Sequence, residues 1–94
     1  MPTATASVTT ERPVPYMKQL CKHFGHKTEV TYDDAEGSIA LGHGRCELDA
    51  SEGSQLVLTA VAYDESGLER VTHVVGSHLE RFGRRDGLAV TWDR

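Results

Sequence analysis

Five side chains able to ligate a metal or move a proton fall in two short stretches: Cys21, His23 and His26, then His43 and Cys46. Thiolate and imidazole are the usual soft and borderline ligands of zinc, copper or iron, so a zinc or iron centre is the first chemistry these residue types suggest. The run Cys-x-His-x2-His does not have zinc-finger spacing, and no Cys-x2-Cys pair exists to make a thioredoxin-type redox centre. Residues two apart on a helix point away from each other, which separates Cys21 from His23. The metal set that remains is His23, His26, His43 and Cys46. A second reading is a pocket for an anion or small ligand, floored by Cys46 and rimmed by His23, His26, Lys27, His43 and Arg45. A third is structural, with the histidines pinning a helix end to a sheet. Cys21 and Cys46 lie mid-element, and Cys21 reads as a small buried hydrophobe rather than a nucleophile activated at a helix N-terminus. His73 and His78 have no carboxylate partner in sequence, so no His-centred triad is supported. Gly42-His43-Gly44 is too short to cradle phosphate and leads into a strand.

The elements that must position these groups can be read from periodicity. Met17, Leu20, Cys21 and Phe24 form one apolar stripe on a helical period. Pro13 and Pro15 fit only a first turn, Thr10 or Glu11 is the expected cap, and Gly25 the expected left-handed terminator, which predicts a helix over 13–24. Leu68, Val71, Val75, Leu79 and Phe82 mark a second helix, with Ser66 and Glu69 as a Ser-x-x-Glu capping box and Gly83 as its stop. Alternation predicts strands at 3–9, 28–32, 38–41, 45–49, 55–63 and 88–92, with Val30 and Tyr32 inward in the second. The order is β-α-β-β-β-β-α-β. Short turns force antiparallel pairing, and two amphipathic helices need one apolar sheet face. The expected fold is therefore α+β, a two-layer sandwich with both helices on one face of a mainly antiparallel sheet. A ferredoxin-like sandwich with an added hairpin is the alternative.

A chain of 94 residues suits one domain spanning 1–94, and 26% charged against 38% hydrophobic residues suits a globular protein. No stretch has the roughly 18 apolar residues of a membrane span. The N-terminal stretch has neither a basic start nor an apolar run, so a cytoplasmic location with both thiols reduced is expected. The net charge of −4 is unevenly spread. Residues 28–69 carry ten acids against one Arg, whereas the flanking segments are basic. This opposes a continuous nucleic-acid footprint. It predicts either a solvated acidic sheet face or a charge-complementary partner surface. The 55–63 strand is apolar on both sides, at Leu56, Val57, Leu58, Ala60 and Val61. One helical layer covers one face only, so a homodimer is expected to cover the other.

Arg12-Pro13, Tyr16-Met17-Lys18-Gln19-Leu20, His23-Phe24-Gly25-His26-Lys27, Gly44-Arg45-Cys46 and Leu79-Glu80-Arg81-Phe82 together resemble the bacterial domain-of-unknown-function family 2218 (DUF2218). The resemblance spans nearly the whole chain. It implies no assigned activity and no catalytic residue. Some members resemble neighbours or appendages of siderophore-interacting flavoproteins, which implies an iron-siderophore or redox context and such a flavoprotein as partner. With no paired acid and base, the expected function is a non-catalytic binding or interaction module. A small enzyme dependent on the Cys/His cluster is the alternative.

Overall fold

All 94 residues are described in a computed structural model. The chain runs β1 (Thr3–Thr9), α1 (Pro13–Phe24), β2 (Val30–Tyr32), β3 (Glu36–Leu41), β4 (Gly44–Asp49), β5 (Gln55–Ala62) and α2 (Glu65–Phe82), followed by a 3-10 turn at Arg84–Asp86. The five strands form one sheet in the order β1-β5-β4-β3-β2, antiparallel throughout. Both helices cover one face, α1 over β3 and β2, α2 over β5 and β4. The two-layer α+β fold expected from the sequence is the observed one.

Period-2 alternation explains the core. Ala4, Ala6 and Val8 of β1, Leu56, Leu58, Ala60 and Ala62 of β5, Cys46 and Leu48 of β4, and Ile39 of β3 all point beneath the helices. Met17, Leu20, Cys21 and Phe24 descend from α1, and Leu68, Val71, Val75 and Leu79 from α2, into the same cluster. The opposite face of the sheet carries no second layer.

The expected last strand at 88–92 is not a strand. Alternation in Leu88, Val90 and Trp92 reports an extended segment with one buried side, and here α2 rather than a strand supplies the cover. Leu88 packs on Gly83, the Val90 N–H donates to Glu80 Oε2 at 2.9 Å, and Trp92 lies on Gly76. Arg94 then pairs with Glu65, so the tail runs back along the whole helix. One backbone pair alone touches the sheet, Thr5 with Asp93 at 2.8 and 2.7 Å.

Helix boundaries follow a different local chemistry from the one expected. Asp64, not Ser66, caps α2: its Oδ1 accepts the Gly67 N–H at 2.7 Å, and Ser66 lies inside the helix. Thr10 and Glu11 do not cap α1; Thr10 Oγ1 instead accepts the Arg12 N–H at 3.0 Å. Gly25 ends α1 in a right-handed conformation (φ −61°) and donates to the Cys21 carbonyl. β2 is shorter than expected, and Tyr32, the last residue of this edge strand, is 40% exposed. β3 begins at Glu36 because Asp33 Oδ1 takes the N–H groups of Ala35 and Glu36, both at 2.8 Å, and closes the turn early. Gly44 is needed for space, since a Cβ there would sit 2.1 Å from the Val61 carbonyl oxygen in the β4–β5 ladder.

Candidate functional site: the open sheet face and the helix-layer histidines

The six expected site residues part into three groups. His23, His26 and Lys27 stay together at the exit of α1. His23 is held by edge-on contacts to Phe24 and Phe82, with ring centroids 5.2 and 5.4 Å away. His43 lies in the β3–β4 turn, where its backbone packs against Gly67 in the first turn of α2. His23 meets α2 at His78, about 16 Å farther along the axis at 1.5 Å per residue. Arg45 and Cys46 are consecutive in β4 and therefore face opposite sides of the sheet. Arg45 reaches Glu47 on the open face, Nε to Oε1 at 3.0 Å, while Cys46 is fully enclosed in the core.

A pocket floored by Cys46 and rimmed by the other five is thus not formed. Nor do His23, His26, His43 and Cys46 gather, for no three His, Cys, Asp or Glu side chains converge on a point that could hold a metal. Burial pushes the Cys46 thiol up to about 12 and the Cys21 thiol up to about 11, which leaves neither as a nucleophile near neutral pH.

The largest concavity lies on the other side of the molecule. It is an open groove of about 540 Å³ across β2, β3, β4 and β5. Strand register builds its floor. Thr5 pairs with Thr59, Thr59 with Glu47, Glu47 with Ser38, and Ser38 with Thr31, so one row of hydroxyls and a carboxylate crosses all five strands. Asp33, Glu36, Glu47 and Asp49 line the groove, and no Lys or Arg does. Glu36 stands directly opposite Asp49, an arrangement of like charges that a sheet does not favour for its own sake. The Ala35 and Glu36 N–H groups hold the Asp33 carboxyl below the usual range, and the hydroxyl and N–H of Ser51 do the same for Asp49. Both stay charged well into acid. Val57, Thr59 and Val61 of β5 are half-buried on this face, so its outward apolar side chains are the two valines.

Two features eluded residue-level reading. The outward alternation of Glu47 and Asp49 was visible, but their convergence with Asp33 and Glu36 depends on register. His78 was visible as a stripe neighbour, but not as the partner of His23.

Fold and site together define a small α+β module with one helical layer and a hydrogen-bonded open sheet face. The chain belongs to the family described as an uncharacterized protein conserved in bacteria, DUF2218, whose profile matches residues 5–93. The fold is shared with the NMR structure of PA4090 from Pseudomonas aeruginosa, at 34% sequence identity and a TM-score of 0.82 over 99% of this chain and 96% of that one. No curated protein matches the sequence. No helix is long and apolar enough to cross a membrane.

Proposed function

We propose that the protein is a non-catalytic binding module whose open sheet face docks a basic segment of a partner protein. The observation that carries this is the groove lined by Asp33, Glu36, Glu47 and Asp49, four carboxylates against the Arg45 that pairs with Glu47 at its edge. Strand hydroxyls beside these carboxylates add hydrogen-bond acceptors and donors, and the paired backbone beneath them is preorganised. A Lys- or Arg-rich segment gains charge-assisted hydrogen bonds there and relieves the Glu36–Asp49 opposition. A second copy is a poor occupant of this face, since a symmetric contact would set acid against acid.

The iron-siderophore context enters as a choice of partner: a siderophore-interacting flavoprotein, met in the cytoplasm through a basic patch. The enclosed thiols and scattered histidines speak for binding rather than Cys/His catalysis.

The test is a titration of 15N-labelled protein with a Lys/Arg-rich peptide and, separately, an Asp/Glu-rich peptide of equal length. The basic peptide should move the amides of Thr31, Ser38, Glu47 and Thr59, weaken with salt and lose its effect in Glu36→Lys/Glu47→Lys. Unmoved amides on this face, or equal response to the acidic peptide, would sink the proposal. Calorimetry with a siderophore-interacting flavoprotein then decides the partner separately from the face.

A further inference from the structure

The α1–α2 contact brings two imidazoles together from opposite ends of the sequence. The rings of His23 and His78 lie with centroids 4.8 Å apart and planes tilted by 43°. Phe24 and Phe82 flank them: His78 is 5.2 Å from Phe24, and His23 is 5.4 Å from Phe82. His78 is half-buried and His23 exposed, so the pair is open to solvent on one side.

We propose that His23 and His78 form a two-imidazole site for a divalent transition-metal ion of the copper, nickel or zinc type, with water filling the remaining positions. Two observations support it, and neither depends on the sheet-face reading. The first is separation. Two imidazoles bound to one ion at 2.0–2.1 Å, with a right-angle to tetrahedral bite, have ring centroids about 4.5–5 Å apart. The observed 4.8 Å lies within that span before any ion arrives.

The second is tautomer. His78 Nδ1 lies 2.7 Å from the Val74 carbonyl oxygen. A carbonyl only accepts, so Nδ1 carries the proton and the neutral ring keeps its lone pair on Nε2. A metal-binding histidine has this arrangement, with its other nitrogen donating to a backbone carbonyl that fixes the ring.

The donor set decides the kind of ion, because imidazole is the protein ligand it offers. Magnesium and calcium, which need oxygen ligands, are excluded, whereas copper(II), with its strong preference for imidazole, ranks first. The site differs from the quartet suggested by sequence, sharing only His23 with it.

Side-chain 1H–15N spectra of the histidines, recorded during a Zn2+ titration, read the site directly, and calorimetry with Cu2+, Ni2+, Zn2+ and Mg2+ gives the ranking. The expected result is one ion per chain, shifts at His78 Nε2 and one His23 nitrogen, and Cu2+ binding at least tenfold tighter than Zn2+. No Mg2+ response is expected, and Zn2+ affinity should fall at least tenfold between pH 7.5 and pH 5.5. His23→Gln should weaken Zn2+ binding at least tenfold, and it is exposed enough to leave the fold intact, as an unchanged backbone spectrum would verify. His78→Gln should do the same, while His26→Ala and His73→Ala leave binding within twofold. Zinc shifts centred on His26, His43 or His73, or a His23→Gln protein that binds within twofold of the parent, would overturn the assignment.

Discussion

Alkaline titration should reveal what it costs to keep Cys46 in the core. The thiol is fully enclosed, and burial, then the nearby charge of Glu47 and the Cys21 thiol, raises its pKa from an ordinary 9.0 to about 12. In the unfolded chain it ionises near the ordinary value. Between these two values the unfolded state sheds its proton and the folded state keeps it. The stability attached to this thiol is therefore complete below about pH 9 and is lost as pH rises towards 12. At about 1.4 kcal/mol per pH unit the full gap amounts to ~4 kcal/mol, a large part of a typical folding free energy. The same gap governs reactivity, because the thiolate is the nucleophile. At pH 8 a thiol of this kind is ionised to about one part in 10,000, against about one in ten for an ordinary one. The assay is alkylation of Cys21→Ala protein at pH 8, read by mass, in native buffer and across a urea series. Cys46 should label at least about a thousandfold more slowly than free cysteine, and should accelerate only as the fold opens. Cys46→Ala should flatten the loss of stability between pH 9 and 12. Stoichiometric labelling within minutes in native buffer, independent of urea, would refute the reasoning and revive a thiol-based activity. An alkaline decline identical in parent and Cys46→Ala would refute the linkage.

Two further predictions concern the helix layer. Asp64→Ala should cost about 1 kcal/mol by removing the α2 cap, whereas Ser66→Ala should change little; chemical denaturation compares them. Gly76→Leu should push away the tail, because even a Cβ there would lie 3.1 Å from Trp92 Nε1; the emission of this single tryptophan should shift red while α2 persists in circular dichroism.

Much of the fold was legible because its signals are local. The stripes of α1 and α2 and the alternation in β1, β4 and β5 state which face is buried, and consecutive hairpins leave little choice of pairing. Leu88, Val90 and Trp92 show the limit. Their alternation demanded a buried side, but a strand and a tail lying on a helix satisfy it equally. Ser66 shows another, since a matching cap pattern competed with Asp64 two residues earlier, and the chain entered the helix there.

The site was less legible, for a geometric reason. Arg45 and Cys46 are adjacent in the chain, yet the pleat sends them to opposite faces of the sheet. The sequence by itself determined the layers, the acidic middle segment and the side of each strand that faces the helices, since these follow from residue type and period within a dozen positions. Only the tertiary structure decided that Asp33, Glu36, Glu47 and Asp49 share one groove, and that His23 meets His78 rather than His43. Cross-strand register and the packing of α1 on α2 set those distances, and both arise from contacts between residues far apart in the chain.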